Sequence, residues 1–158
     1  TGLSVVADPA TTIQDVIELT RPLWEARNTI RVKTEIAETA LARIRPADLR
    51  EVLVNLLINA ITALSSGGEI TFGAQLAEGQ VVITVADTGV GMSPELQQTI
   101  FQPFASTKAQ GRGLGLSISR ALLELYGGAI SVRSEEGQGS VFSIILPATQ
   151  RDRAASLA

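Results

Sequence analysis

Alternation of apolar and polar residues with a period of two predicts several strands in this chain. Residues 30–36 alternate strictly, as do residues 70–76, and this spacing is typical of strands with one buried face. Residues 81–87 form an apolar run rich in β-branched residues, which we expect to pair with residues 70–76 through a turn at Glu78-Gly79. The predicted strands are residues 30–36, 40–44, 70–76, 81–87, 129–134 and 140–146.

Helical spacing of apolar residues predicts four helices between these strands. In the first helix, Thr11 or Thr12 is the expected N-cap, and Pro22 is expected to kink or end the helix. In the second, Asp48 is the expected N-cap and Glu51 occupies the capping-box position. The predicted helices are residues 11–27, 48–64, 94–100 and 116–126.

The alternating strands also predict the architecture. Strands with one polar face suit a mostly antiparallel sheet whose other face is covered by helices. We therefore predict an α/β (α+β) fold that forms a two-layer α/β sandwich. We expect residues 10–148 to form this domain, residues 1–9 to be an N-terminal tether and residues 149–158 to be a polar C-terminal tail.

Composition narrows the function classes. The 158 residues include no cysteine, which excludes disulfides and thiolate metal sites, and no histidine, so another domain must supply any imidazole chemistry. The net charge of -3 argues against nucleic acid as the main partner. We expect neither a signal peptide nor direct membrane insertion, because no apolar stretch reaches the length of a membrane span. A cytoplasmic domain, or the cytoplasmic part of a membrane-bound sensor, fits these features.

The first chemical motif is a carboxylate that follows a buried strand and precedes a glycine-rich loop. Asp87 ends the apolar run, and Gly89 and Gly91 follow it. A second set of glycines, at 111, 113 and 115, precedes the last helix, whose first turn would offer free N–H groups to phosphate. This arrangement predicts a nucleotide pocket in which Asp87 accepts a hydrogen bond from the amine of adenine. Each part taken alone is also explained by an ordinary turn, a flexible loop or a loop-to-helix junction.

The second chemical motif lies on the helix over residues 48–64. Asn55 and Asn59 are four residues apart, so they share one face of a helix that is otherwise apolar. Two carboxamides in such a helix need hydrogen-bond partners. One interpretation is that they bond to each other or to neighbouring backbone. The other is that their oxygens face a polar cavity and complete the coordination shell of a Mg2+ ion held by nucleotide phosphates.

Three residues between the two sets of glycines have less specific patterns. Phe101 and Phe104 flank Pro103, and we expect them to pack in a lid rather than to stack on a base. Lys108 lies in the same loop. It is either a solvated charge or a phosphate contact.

The order and spacing of these motifs are more specific than any one of them. N-x-x-x-N-A over residues 55–60, D-x-G-x-G-M over residues 87–92, F-x-P-F over residues 101–104, G-x-G-L-G-L over residues 111–116 and the string over residues 137–142 occur in this order. Together they resemble the nucleotide-binding domain of sensor histidine kinases, a member of the gyrase–chaperone–kinase ATPase superfamily with its Bergerat-type fold. The resemblance covers roughly residues 10–147.

The resemblance implies a fold and a ligand. The fold is a mixed sheet of about five strands covered by three helices, and the ligand is ATP with Mg2+ under a mobile lid. Asn59 would ligate Mg2+, Asn55 would contact metal or phosphate, and Asp87, assisted by Ser140, would bind the adenine amine. The implied ATP-binding set is Asn55, Asn59, Asp87, Gly89, Gly91, Met92, Lys108, Gly113, Leu114, Gly115, Leu116 and Ser140.

The sequence departs from the family pattern at a few positions. Thr62 stands where relatives often carry Lys or Arg, so one phosphate-neutralising charge is missing, and Lys108 or Arg112 is expected to replace it. Arg112 and Ser140 both stand where Thr is usual, and Ser140 keeps the hydroxyl. The stretch Ser106-Thr107-Lys108 is similar to the short lid of kinases related to nitrogen-regulation and oxygen-sensing sensors.

The absence of histidine shapes the expected function. The family phosphorylates a His on a separate helical domain, and a response regulator then takes the phosphoryl group from that domain. We therefore expect this chain to be the catalytic part of a longer protein, a protein histidine kinase without its nucleophile. Two alternatives remain, which are a self-contained ATPase clamp and a nucleotide-binding module without turnover. Hydrolytic relatives carry Glu where Asn55 stands, and Glu51 is one turn further back.

Overall fold

The chain folds into one sheet and a layer of helices. The computed structural model describes residues 5–103 and 113–149. Within them the helices are α1 (Pro9–Glu25), α2 (Pro46–Ala63), α3 (Pro94–Thr99) and α4 (Gly113–Leu125). The strands are β1 (Ile30–Ile36), β2 (Leu41–Ala42), β3 (Gly68–Ala77), β4 (Gln80–Asp87), β5 (Ala129–Glu135) and β6 (Gly139–Thr149).

The sheet is mixed, as predicted. Its order is β1-β3-β4-β6-β2, and β5 also pairs with β6. Among the strands of the described residues, only β1 and β3 are parallel, and the remaining pairs are antiparallel. Strand β6 is 11 residues long, so one of its edges pairs with β4 while the other pairs first with β5 and then with β2. The described part of the chain thus has the six strands and four helices that the residue pattern predicts. The family resemblance implied about five and three, and the short β2 and α3 make up the difference.

The hairpin of β3 and β4 has the predicted turn. Glu78 and Gly79 both have positive φ, of 53° and 77°, which is the conformation of a two-residue hairpin turn whose twist matches that of the strands. Ile70 and Phe72 are fully buried on the inner face of β3, as the alternation predicts, whereas Leu76 near the turn is 46% exposed. The buried face therefore ends before the hairpin does.

The hydrophobic core lies between the sheet and helices α1, α2 and α4. Alternate residues of β4 are buried against α2, and the residues between them are only half-buried, which shows that the helices cover one face. Helix α2 supplies the largest share of the core, as its apolar sequence predicts. Its buried residues are Leu49, Val52, Leu53, Leu56, Leu57 and Ala60.

Helix α1 begins earlier than predicted and continues past its proline. Asp8, and neither Thr11 nor Thr12, is the N-cap, and its Oδ1 accepts from the N–H of Ala10 at 3.1 Å. Pro22 does not end the helix, which continues to Glu25, and the alternative expectation of a kink at Pro22 stays a prediction. Trp24 is buried beyond the proline, and its ring N–H donates to the Thr20 hydroxyl one turn back. This packing offsets the one backbone hydrogen bond that proline removes.

Helix α2 also starts differently from the prediction. It begins at Pro46, because proline fits the first helical position, and Arg45 occupies the N-cap position without a side-chain capping bond. The prediction of Asp48 as the N-cap, with Glu51 completing a capping box, is therefore wrong. Asp48 is in the first turn, where its charge still favours the helix dipole, and it accepts a hydrogen bond from the Tyr126 hydroxyl.

Both ends of the described chain join the sheet. Ala7 is buried and forms an isolated bridge with Ala42 of β2, so the folded unit includes Ala7. The role of residues 1–9 as a tether stays a prediction, as does the polar tail, of which residues 150–158 lie outside the described part. In residues 5–103 and 113–149, no helix combines the length and apolar character that crossing a membrane would require.

Candidate nucleotide-binding site

On β4, β6 and β5 the buried face of the sheet changes from apolar to polar at its last row, whereas Ile70 of β3, opposite Asp87, is apolar. Asp87 ends β4 and lies opposite Ser140 of β6, which in turn lies opposite Ser134 of β5. Residues paired across strands point to the same face, so these three side chains form one row, called here the polar row. The preceding row is apolar and consists of Val85, Phe142 and Val132. The polar row is therefore where the sheet can bind a ligand by hydrogen bonds.

Asp87 is buried and only partly satisfied by the protein. Its side chain is 8% exposed, and its Oδ1 accepts from the N–H of Gly89 at 2.8 Å. Burial raises the pKa of Asp87 above its ordinary value, and hydrogen bonds from the backbone N–H groups of Gly89 and Ser140 partly offset this. A carboxylate has about four acceptor positions. Asp87 can therefore accept a further N–H group from a ligand.

The hydroxyl of Ser140 contacts Ser134, another member of the polar row. Its Oγ lies 2.7 Å from the Oγ of Ser134. Ser134 Oγ also accepts from the N–H of Met92 at 2.8 Å and donates to the carbonyl of Gly139 at 3.0 Å. The polar row is thus tied to the loop that follows Asp87.

Close packing on two sides explains the glycines in that loop. A Cβ on Gly89 would lie 2.8 Å from the Cβ of Ala63 at the end of α2, which is too close for any side chain. Gly91 has φ +71, and a Cβ there would lie 2.7 Å from the carbonyl carbon of Glu135 on β5. The N–H of Val90 donates to the Ala63 carbonyl at 3.2 Å. The loop is therefore held between α2 and β5.

Helix α3 and the residues that follow it also support the loop over residues 89–92 and the neighbouring strand β5. The side-chain amide of Gln97 donates to the carbonyls of Met92 at 3.0 Å and Ser134 at 2.9 Å. The Phe101 ring packs edge-to-face on the buried ring of Phe142, with 6.2 Å between centroids. Phe101 thus packs on the core through Phe142, and its predicted place in a lid stays a prediction.

Helices α2 and α4 run antiparallel and present facing polar side chains. The Asn55 side-chain amide donates from Nδ2 to the Ser119 Oγ at 3.0 Å, and two turns away Asp48 accepts from Tyr126. Because the residue order is reversed between the helices, the next turn of α2, which carries Asn59, is directed toward the start of α4. The predicted Asn55 and Asn59 therefore share the face of α2 that is turned to α4.

The glycine-rich turn forms the start of α4 rather than a loop before it. The helix begins at Gly113, three residues earlier than predicted, so Gly113, Leu114 and Gly115 form its first turn. A Cβ on Gly115 would lie 3.9 Å from the Asn55 Cγ, which places this turn beside the carboxamides. The side chain of Leu116 is buried in the core, so only its backbone can face a ligand. The free N–H groups of a first helical turn favour an anion.

The donor set suits a hard cation that brings its own oxygen ligands. In the described ranges, no group of three or more His, Cys, Asp or Glu side chains could hold a metal ion. Asn55 directs its amide nitrogen to Ser119, which leaves its carbonyl oxygen as the acceptor end. Amide oxygens are ligands that Mg2+ accepts together with phosphate oxygens and water. The site therefore fits Mg2+ that arrives with a nucleotide.

Several predicted residues lie outside the described part of the chain. They are Phe104, Ser106, Thr107, Lys108, Gly111 and Arg112. Their predicted roles in a lid or a phosphate site stay predictions. Thr62 is described and lies exposed on α2.

Sequence reasoning missed three residues that support the site. Ser134 and Ser119 were not recognised, although Ser134 follows Ile130 and Val132 at alternate positions and so had to face inward. Ser119 is fully buried in an amphipathic helix, where a lone hydroxyl requires a partner. No sequence pattern marked Gln97, because its partners are the backbone carbonyls of Met92 and Ser134, outside its own helix.

Fold and site together define a class, a two-layer α/β sandwich in which a strand that ends in a buried carboxylate lies beside an amide-bearing helix. Residues 44–150 match the family model of the histidine kinase-, DNA gyrase B- and HSP90-like ATPases. The chain belongs to this family, and the predicted resemblance is confirmed.

Curated relatives with similar sequences are sensor kinases. The sensor histidine kinase ZraS of Salmonella typhi is 44% identical over 120 residues, which is 74% of this chain and 26% of that protein. Sporulation kinase E of Bacillus subtilis (strain 168) is 41% identical over 106 residues, 66% of this chain and 14% of that protein. The chain thus spans about a quarter or less of the length of these relatives.

Solved structures show the same fold. Full-length ShkA in complex with AMPPNP superposes with a TM-score of 0.83 at 30% identity, over 96% of this chain and 32% of that one. The catalytic domain of the histidine kinase ThkA superposes with a TM-score of 0.78 at 32% identity, over 91% of this chain and 95% of that one. The fold is that of histidine kinase catalytic domains.

Proposed function

We propose that this chain binds ATP with Mg2+ and donates the γ-phosphoryl group to a histidine on a separate helical domain. The proposal rests on family membership and on one observation that separates it from a hydrolase. Position 55 holds an amide that is hydrogen-bonded to Ser119, in the place where a water-activating carboxylate would be needed.

The polar row would bind the base. Asp87 keeps acceptor capacity beyond the bond from Gly89, so it can accept from the exocyclic amine of adenine. Guanine and hypoxanthine present a carbonyl oxygen at that position, which the carboxylate would repel. The loop over residues 89–92 would close one side of the base pocket.

The facing helices would bind the phosphates and the metal. The first turn of α4, with Gly113, Leu114 and Gly115, offers N–H groups to the phosphate oxygens. Asn59 would ligate Mg2+, and the oxygen of Asn55 would contact metal or phosphate. Mg2+ neutralises charge on the phosphates when it is bound. Lys108 is the further phosphate contact that we propose.

Transfer requires a nucleophile that the chain lacks. The sequence contains no histidine. In the proposed step, the bond between the γ-phosphorus and its bridging oxygen breaks, a bond to an acceptor imidazole nitrogen forms, and ADP leaves. The imidazole proton passes to an acidic neighbour on the acceptor domain.

Hydrolysis by the chain alone should be slow. An amide has no useful basicity, so Asn55 cannot activate water. Glu51, one turn back on α2, is exposed to solvent. The ATPase-clamp alternative therefore lacks its base.

The proposed signalling context follows from the family. The helical acceptor domain would pass the phosphoryl group to a response regulator, and the reaction would take place in the cytoplasm, where ATP is available. Neither nucleic acid nor a membrane is needed as a direct partner.

The test combines the chain with a helical acceptor domain from a sensor kinase. With ATP and Mg2+ we expect phosphohistidine, which is labile in acid and stable in base. Asn59→Ala should abolish transfer without unfolding the chain, and Asn28→Ala, at an exposed turn position, is the matched control. Transfer that is unaffected by Asn59→Ala would refute the assigned metal site.

Phosphate release separates the alternatives. The chain alone should release phosphate slowly, and Asn55→Glu should raise the rate because it restores a base. Rapid release by the unmodified chain would favour the ATPase clamp instead. ATP binding without transfer to any acceptor domain tested would favour a nucleotide-binding module.

A further inference from the structure

We propose that Ser134 is a positioning residue that fixes the direction of the Ser140 hydroxyl and thereby sets purine selectivity. The inference rests on the proposed function, because it assumes that the polar row reads the base. It concerns a residue of β5 that the sequence motifs do not include.

The hydrogen bonds of Ser134 favour one direction for its bond with Ser140. A serine hydroxyl has one hydrogen and two acceptor positions. The Ser134 hydrogen is used by the Gly139 carbonyl at 3.0 Å, and one acceptor position is used by the Met92 N–H at 2.8 Å. The remaining acceptor position faces the Ser140 Oγ at 2.7 Å. Either hydroxyl could be the donor of that bond. The proposal is that Ser140 donates its hydrogen to Ser134, because the Gly139 carbonyl engages the Ser134 hydrogen.

This direction leaves only acceptors on the pocket side of the polar row. Ser140 has used its hydrogen, so its free positions are lone pairs, and Asp87 beside it is a carboxylate. The two residues are direct cross-strand partners on the same face of the sheet, and both are nearly buried. An exocyclic amine carries two hydrogens and can satisfy two adjacent acceptors. A carbonyl oxygen at the same place would meet two acceptors and no donor.

Removing Ser134 should relax this selectivity. Without its partner, the Ser140 hydroxyl can rotate and donate to a carbonyl oxygen in the pocket. The pocket would then tolerate a 6-oxo purine better relative to a 6-amino purine. One net hydrogen bond corresponds to a change of roughly two- to tenfold in the affinity ratio.

A purely structural role for Ser134 predicts a different result. The Ser134 hydroxyl also accepts from the N–H of Met92 in the loop over residues 89–92, and the Ser134 carbonyl accepts from Gln97. In a structural role, Ser134→Ala would loosen this loop. A loosened loop should weaken every purine nucleotide by a similar factor. The ratio of ATP to ITP affinities separates the two roles, because ITP differs in carrying a 6-oxo group.

The experiment measures Mg2+-ATP and Mg2+-ITP binding to the 158-residue chain by isothermal titration calorimetry. Ser134→Ala should lower the ATP/ITP affinity ratio two- to tenfold, and Ser134→Thr, which keeps the hydroxyl, should retain the ratio. Ser131→Ala is the matched control, because Ser131 lies on the same strand but is exposed on the opposite face. Where Ser134→Ala does not fold, Ser134→Cys provides the same test with a weak hydrogen-bonding group.

The outcomes distinguish this inference from the function on which it rests. An unchanged ATP/ITP ratio in a folded Ser134 variant, with both affinities reduced alike, overturns the positioning role and leaves the proposed function intact. Wild-type chain that binds neither nucleotide overturns the proposed function and this inference with it. A ratio that falls equally in Ser131→Ala also overturns the inference.

Discussion

Gly79 and Gly91 have nearly the same φ angle in different surroundings. Their φ angles are +77 and +71, in the region that L side chains rarely adopt. Nothing lies within 4 Å of a Cβ built on Gly79, whereas a Cβ on Gly91 would lie 2.7 Å from the carbonyl carbon of Glu135. Replacing each glycine with alanine therefore introduces similar strain, and only Gly91→Ala adds a clash.

The two costs can be compared in magnitude. A left-handed conformation costs an alanine about 1–2 kcal/mol, and the lower entropy of the unfolded chain returns about 0.4–1 kcal/mol of this. Gly79→Ala should thus lower the free energy of unfolding by about 1 kcal/mol. Forcing atoms into packed space costs about 1–3 kcal/mol more. Gly91→Ala should therefore lower the free energy of unfolding by about 2–4 kcal/mol relative to wild type, because the backbone has to move to relieve the clash.

Urea denaturation at constant temperature measures the free energy of unfolding of each variant. ATP titration of the same samples measures whether the loop over residues 89–92 still supports binding. ATP affinity should fall in Gly91→Ala, because the shifted loop carries Met92, and stay unchanged in Gly79→Ala, at the opposite end of β4. Equal destabilisation by the two substitutions, with equal slopes on urea concentration, would refute the close approach of this loop to β5.

Three further predictions concern polar side chains that are hydrogen-bonded within the fold. Burial raises the pKa of Asp87 above 3.8, so the folded chain keeps a proton that the unfolded chain loses, and stability should fall as pH rises through this window. In urea denaturation, Asp87→Asn should not lose stability as pH rises through this window, and it should be more stable than wild type at neutral pH. A loss of the same size in Asp87→Asn would contradict the raised pKa of Asp87 as its cause. A double-mutant cycle of Asn55→Ala and Ser119→Ala should give a coupling energy of about 0.5–1.5 kcal/mol, and no coupling would contradict their hydrogen bond. Tyr126→Phe should cost about 0.5–1.5 kcal/mol at neutral pH. The hydrogen bond to Asp48 raises the pKa of Tyr126 above 10.0, so this cost should shrink only as pH rises through the raised value, and a cost that persists there would contradict the contact.

Local sequence signals predicted the elements well. The turn at Glu78-Gly79 and the strand that ends at Asp87 depend on neighbouring residues, and both are confirmed. The prediction of Asp48 as an N-cap was wrong because two local signals competed at the start of α2. Proline at the first helical position decided the boundary, and the carboxylate was left to bind Tyr126.

Contacts between distant segments could not be predicted in the same way. Alternation over residues 30–36 predicted a half-buried strand, but only Ile30 is buried, because β1 is an edge strand that pairs with β3 alone. Likewise, the spacing of Asn55 and Asn59 predicted a shared helix face without naming Ser119 as a partner. Such contacts depend on how helices and strands are placed relative to one another.

The pairing of β4 with β6 has a consequence for the folding reaction. The hairpin of β3 and β4 closes through a two-residue turn, whereas the pairing of Asp87 with Ser140 closes a loop that contains α3, α4 and β5. Closing so large a loop costs chain entropy, so we expect the proposed base pocket to form only when most of the domain has folded. A nucleotide that binds there selects the native state over the unfolded chain, and its binding energy should appear mainly as slower unfolding.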